Sequence, residues 1–285
     1  MGVFTDMSDF VRAPRRNVVA PRVSIVIPAL NEALNLAVVL PRLPDVHEVI
    51  LVDGGSVDGT VATARRARPD IVTVLQTRRG KGNALAAGFA RVTGDIVVML
   101  DADGSADPAE IARFVRVLTD GADFAKGSRF TEGGGSVDIT PIRRVGNHCL
   151  NSLFKLGFGV RSTDLCYGYN AFWADLIPVL ALPDHARPSA DQRMQWGDGF
   201  EIETLIHCRF AAAGAEIVEV PSVERVRVFG QSNLNAITDG LRVLRTLFTE
   251  WRRDRAMRQR VAPSHRRPRD LPVLRDRAVA GKAAA

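Results

Sequence analysis

The sequence predicts an α/β fold: a mostly parallel central sheet with helices on both faces, then a small mixed C-terminal part. Three observations carry this. Four apolar, β-branched runs alternate with helix-spaced runs between residues 23 and 104, the order of a parallel sheet covered on both sides. Three of those runs stop abruptly at polar residues: Asn31 and Glu32, Asp53, then Asp101 and Asp103. In such sheets ligands sit at the C-terminal strand edge. Finally, 285 residues at 46% apolar content allow a large core, while no apolar run reaches the ~18 residues of a membrane span.

The elements follow in order. VSIVIPAL (23–30) reads as the first strand and NEALNLAVVLPRL as a helix. HEVILVDGG (47–55) is the second strand, and SVDGTVATARRAR carries a helix start and then a helix. IVTVLQ (71–76) is the third strand, GKGNALAAGFARV (80–92) a small-residue helix, and GDIVVMLDADG (94–104) the fourth strand. The second half is less regular. TEGGGSVDIT (131–140) reads as a mobile Gly-rich loop suited to closing over a ligand, PIRRVGNHCLNSLFKLGFG as a helix, CYGYNAFWA (166–174) as a strand and HARPSADQRMQWGDG (185–199) as irregular. FEIETLIHCRFAAAG (200–214) is a helix with a terminal glycine, and AEIVEVP and VERVRVF are short strands. In NAITDGLRVLRTLFTEWRR, helical spacing puts Leu241, Leu244, Leu247, Phe248 and Trp251 on one face beside arginines.

Charge is uneven. Of the net +6, residues 252–285 hold eleven Arg/Lys against three Asp and residues 1–22 four Arg against two Asp, which leaves the body, 23–251, mildly acidic. That disfavours a domain built to grip nucleic acid. The chain divides into an N-terminal extension (1–22), one domain (23–251, its halves meeting near 130) and a basic tail (252–285) read as disordered. Three scattered cysteines make no disulfide framework, and Cys166 is expected in the core. With no apolar leader after the N-terminus the expectation is a cytoplasmic protein. Peripheral contact of the last helix and tail with anionic lipid at the inner face of a membrane stays open beside a plain core-sealing role.

Asp101 and Asp103 flank one residue at a strand end. Two adjacent carboxylates repel unless a cation lies between them, and an all-oxygen pair suits Mg²⁺ or Mn²⁺ bridging to phosphates. Asp53 at a neighbouring strand end suits a hydroxyl or base N–H. Asp58 and Asn31 suit helix caps. Arg78, Arg79 and Lys81 beside glycines at a helix start read as an anion site. His148 and His207 read as surface or packing residues.

The ordered set PxxNE, VDxGSxDGT, GKGxAxxxG and strand–DAD resembles the family 2 glycosyltransferases of GT-A fold, nearest the dolichyl- and undecaprenyl-phosphate sugar transferases (dolichol-phosphate mannose synthase-like). GSRF (127–130), DLCYGYNAF (164–172), GFEIE (199–203) and VPSVERVRVFGQSNL (220–234) agree with it. The resemblance implies an inverting, metal-dependent transfer of a sugar from a nucleoside diphosphate (a UDP- or GDP-sugar), with a polyprenyl phosphate as one acceptor and a soluble hydroxyl acceptor, or a non-catalytic sugar-nucleotide binder, as alternatives. It implies Pro28, Ala29, Glu32 and Asp53 at the base and ribose, Lys81 and Gly82 near the nucleotide, and Asp101 and Asp103 at the metal. Arg129 and Arg227 fall to the diphosphate and acceptor. A hydroxyl acceptor would need a general base, for which Asp164 comes first and Glu201 second. Three departures stand out: Gly54 replaces the commoner second Asp, the tract GSADPAE lacks a usual glutamine ligand, and Asn233 replaces an expected lysine.

Overall fold

The computed structural model describes residues 20–187, 194–231 and 236–260. Strand β1 (Val23–Ala29) leads to α1 (Ala33–Val39), β2 (Glu48–Asp53), α2 (Thr60–Ala67), β3 (Val72–Leu75), α3 (Lys81–Phe89) and β4 (Ile96–Met99), the alternation the sequence predicts. Then come α4 (Ile111–Thr119), β5 (Phe124–Ser128), the two-residue β6 (Gly135–Ser136), α5 (Pro141–Phe158), β7 (Asn170–Trp173) and the short α6 (Ile177–Leu180). The described chain ends with α7 (Ile202–Ala213), β8 (Ile217–Pro221), β9 (Val223–Glu224) and α8 (Ala236–Arg260).

Seven strands form one sheet in the order β3-β2-β1-β4-β7-β5-β8; β6 and β9 pair separately. All neighbours in the large sheet run parallel except those of β7. β1, β2 and β4 are almost wholly buried apolar strands, and Ala29 lies opposite Asp53 in register. The three polar strand ends seen in the sequence therefore finish side by side along one edge.

α4 and β5 are elements that the sequence reading passed over. α4 buries Ile111, Phe114, Val117 and Leu118 at helical spacing. β5 is FAKGS, buried throughout although three of its five residues are not apolar, so its composition hides it. Lys126 is tolerated there because its ammonium donates to the carbonyls of Gly127 and Tyr167. α7 is buried on nearly every side, as expected of a helix wedged inside a domain. It carries His207 into a cluster with Phe124 and Phe154, where neither ring nitrogen is bonded; His148 is exposed.

Several expectations are corrected. VERVRVF is not a full strand: after Glu224 the backbone N–H groups of Arg225 and Val228 donate to the carbonyls of Ser105 and Asp103, strapping this segment onto the DAD turn. Leu247 is buried while Leu241, Leu244 and Phe248 are exposed, so α8 divides its apolar residues between two faces. α8 continues past Trp251 to Arg260. TEGGGSVDIT is pinned at its middle by the β6–β9 pair. Residues 1–19, the tail from 261 and Asn233 lie outside the described residues.

Candidate active site

The DAD turn follows β4. Asp103 folds it, accepting from the Ser105 N–H (3.0 Å) and hydroxyl (2.7 Å). The strapped segment then delivers Arg227, whose guanidinium lies 3.4 Å from Asp103 and also binds Glu32. Glu32 is fixed from its other side by Asn35. On the opposite flank, the Lys81 ammonium sits 2.6 Å from Asp101 and 2.7 Å from Glu203. Burial alone would lower the Lys81 pKa, but the two carboxylates outweigh it and hold the pKa well above the usual lysine range. Burial pushes Glu203 up, and Lys81 only partly offsets this. The floor beneath these groups is Gly168: a Cβ there would lie 2.8 Å from Lys81 Nζ, 3.1 Å from Asp101 Oδ2 and 3.2 Å from Glu203 Oε1.

These groups share one cavity of about 560 Å³. Of the residues singled out in the sequence, Pro28, Ala29, Glu32, Lys81, Asp101, Asp103, Arg129 and Arg227 line it, together with Glu203, Glu224 and Tyr167. Arg129 is clamped by Asp164 at 2.7 Å and Glu224 at 3.0 Å and lies over the Tyr167 ring. Burial works against its charge, but the Asp164 bond prevails and raises its pKa. Cys166, expected in the core, is half-buried and lines the cavity; burial pushes its thiol up to about 11.

Four expected site residues do not line the cavity. Asp164 is fully buried and bound twice by the Arg129 guanidinium and once by its N–H; so held, it orients Arg129. Glu201 accepts from the N–H groups of Gly197 and Gly199, closing a turn away from the cavity. Asp53 is occupied by the N–H groups of Gly55 and Ser56, shaping the turn after β2.

Gly82 packs rather than binds. Its N–H donates to the Asp198 carbonyl (2.7 Å), and a Cβ on it would lie 1.9 Å from the Gly197 carbonyl oxygen. The GKG glycines thus admit the 197–198 backbone, and Arg78, read as an anion ligand, is instead buried in a two-bond pair with Asp198. This clasp fixes the start of α3 and with it Lys81. Of the two expected caps, Asn31 changes role, while Asp58 holds the start of α2 and that of α1 as well. Asn31 has a left-handed backbone (φ 57°) and accepts from Val57 N–H. Asp58 accepts from both Ala33 and Thr60 N–H, joining the starts of α1 and α2.

A divalent cation can be tested against this donor set. The described residues hold no group of three or more His, Cys, Asp or Glu side chains arranged for a metal. Asp101 and Asp103 offer two oxygen ligands at the rim of an open cavity, which fits a hard cation completing its shell with ligand oxygens and water.

Residues 24–177 match the family described as glycosyl transferase family 2. The chain belongs to that family. This family 2 glycosyltransferase is 34% identical to polyprenol monophosphomannose synthase of Mycolicibacterium smegmatis, over 75% of this chain and 81% of that one. It is 33% identical to undecaprenyl-phosphate mannosyltransferase of Micrococcus luteus, over 75% and 88%. The enzyme is thus related to polyprenyl-phosphate sugar transferases. Glucosyl-3-phosphoglycerate synthase from Mycobacterium tuberculosis, solved with Mg²⁺ and uridine diphosphate, superposes with a TM-score of 0.62 at 21% identity, covering 88% of this chain and 84% of that one. That likeness establishes the GT-A fold.

Sequence reasoning missed Glu203, Gly168 and Glu224. Glu201, two positions before Glu203, is the second candidate base in the sequence. Helix phase separates the two, and only the tertiary packing says which faces the cavity.

Proposed function

We propose that the enzyme transfers a sugar from a UDP- or GDP-sugar to a polyprenyl phosphate with inversion, assisted by Mg²⁺ or Mn²⁺ at Asp101 and Asp103. One observation carries this reading. Asp101, Asp103, Lys81, Arg227 and Arg129 converge on one cavity at the C-terminal strand edge, where a sugar donor's diphosphate has charge partners on every side.

A bound cation would offset negative charge growing on the leaving diphosphate. Lys81 and Arg227 face the same place, preorganised by Glu203 and Glu32, and stabilise that charge without reorganising. Pro28 and Ala29 offer apolar and backbone contact to the nucleoside at the end of β1. Arg129, held rigidly by Asp164, presents a fixed positive charge suited to an acceptor phosphate.

The paired state of the acids favours a phosphate acceptor. Of the seven acids that line the cavity, Glu32, Asp101, Asp103, Glu203, Glu224 and Asp138 are each bridged to Lys81, Arg129, Arg143 or Arg227, and Asp239 is also engaged. A hydroxyl acceptor needs a carboxylate free to take its proton, whereas a phosphate is already an anion. The names of the two mannosyl-transferring relatives support the same acceptor class.

The test is a thermal-shift panel of UDP-, GDP- and dTDP-sugars with and without Mn²⁺, followed by transfer from the stabilising donor to polyprenyl phosphate. Metal-dependent stabilisation and a product whose formation needs no general base are expected. Donor binding with no turnover on any acceptor would leave a non-catalytic binder instead. Turnover only on hydroxyl acceptors would move the base role to Glu203.

A further inference from the structure

α5 has a buried face and an exposed apolar face. One packs inward through Asn147, Asn151, Phe154 and Phe158. The other, half a turn away, carries Ile142, Val145, Cys149, Leu153 and Leu156, all exposed; Ile142 is 81% and Leu156 83% accessible. From Ile142 to Leu156 this stripe is ~21 Å long at 1.5 Å per residue. A surface helix ordinarily presents polar residues to water on that side. α8 repeats the pattern with exposed Leu241, Leu244 and Phe248, Phe248 being 54% accessible.

The two stripes adjoin. A Cβ at Gly157 of α5 would lie 3.2 Å from the Trp251 ring of α8, so the helices touch at Gly157, next in the chain to Leu156, and at Trp251, one turn beyond Phe248. A joined apolar face of this extent marks an interaction surface. Its flanks are cationic. Arg252 and Arg255 lie over the Phe248 and Trp251 rings, and Arg245 and Lys155 are exposed nearby. α5 contains no acidic residue; of the three acids of α8, Glu250 and Asp254 are buried and bridged to arginines and Asp239, in the first turn, lines the cavity. The cavity reaches the same place, lined by Ile142 and Leu150 of α5 and Val243 of α8.

We propose that the joined outer faces of α5 and α8 rest on an anionic lipid bilayer and turn the cavity mouth toward it. This rests on the polyprenyl phosphate reading, since an acceptor with its phosphate in the cavity then leaves its chain between α5 and α8, in lipid. Leu, Val, Ile, Phe and Trp enter the acyl boundary while the arginines and Lys155 meet headgroup phosphates. A second copy fits less well: a two-fold contact sets each patch against itself, and this one would oppose arginine to arginine with no exposed acid on α5 to relieve them.

The test is co-sedimentation of the full chain with phosphatidylglycerol-containing vesicles and with pure phosphatidylcholine vesicles, at low and high salt. Binding to the anionic vesicles that weakens with salt is expected. Leu156→Glu and Phe248→Glu, at exposed positions outside the cavity, should each lower vesicle partition at least tenfold. Melting temperature and donor-induced stabilisation should stay unchanged. Retained binding in both variants, or loss only on truncation after Arg260, overturns the surface and assigns binding elsewhere. A dimer in sedimentation velocity that both variants dissociate, without vesicle binding by the parent, overturns it in favour of a second copy. Because donor stabilisation is read separately, failure of the catalytic reading and failure of the surface give different results.

Discussion

Gly168→Ala tests the charge triad at its narrowest point. The backbone there is outside the left-handed region, so alanine adds only its methyl group. That methyl would lie 2.8 Å from Lys81 Nζ, 3.1 Å from Asp101 Oδ2 and 3.2 Å from Glu203 Oε1. A comfortable carbon–nitrogen contact is ~3.5 Å, so Nζ must retreat by roughly 0.7 Å. Its bonds to Asp101 (2.6 Å) and Glu203 (2.7 Å) both end on that atom, and at least one lengthens beyond use. A hydrogen bond to a charged group contributes about 1.5–3 kcal/mol, which corresponds to a ten- to hundredfold change. The moving tips border open cavity, so the loss should appear in donor affinity or kcat/KM while the melting temperature falls by only a few degrees. Calorimetric titration of the stabilising sugar nucleotide with Mn²⁺, with a thermal melt of the same sample, separates the two. Gly82→Ala is the contrast: its Cβ would meet backbone at 1.9 Å, which cannot yield, so the whole fold should weaken. Wild-type donor affinity and turnover in Gly168→Ala would refute the placing of Lys81, Asp101 and Glu203 at the donor.

Other perturbations have distinct signatures. Asp198→Ala leaves the buried Arg78 guanidinium without its carboxylate and should cost about 3–5 kcal/mol in urea denaturation; a loss below ~1 kcal/mol would mean that the clasp is not structural. Asp103→Asn should weaken Mn²⁺-dependent donor binding at least tenfold in the thermal-shift panel with the metal-free melt unchanged, and an unaltered Mn²⁺ response would remove Asp103 from the metal site. Burial lowers the Lys126 ammonium to about 8, against ~10.4 in an unfolded chain. Between those values the unfolded chain binds more protons, so stability should rise with pH; below about 8 the burial penalty is fully present. Lys126→Met should lose that rise and compare better with the parent at pH 7 than at pH 10 in denaturant titrations, and identical slopes would rule out Lys126 as the source.

The first half was legible because its signals are local. Parallel strands buried on both faces must be apolar runs, and a chain returning over the sheet must place their ends together, so Glu32, Asp101 and Asp103 could be grouped before any coordinates. β5 was not legible: its burial follows from the strands and helices around it, and Lys126, Gly127 and Ser128 satisfy their polar groups only in that setting. The same limit explains the exchange of Glu201 for Glu203 and the reassignment of Arg78 from anion ligand to partner of Asp198.

The sequence alone thus determined the α/β fold, the edge at which chemistry gathers and the family, because hydrophobic period and strand-end residues are properties of short stretches of chain. Tertiary structure decided which charges remain turned toward the cavity. Asp53, Gly82, Asp164 and Glu201 are engaged by backbone groups or a guanidinium, and Glu203 is brought in by α7, because pairing and burial depend on segments more than a hundred residues apart, such as Arg78 and Asp198.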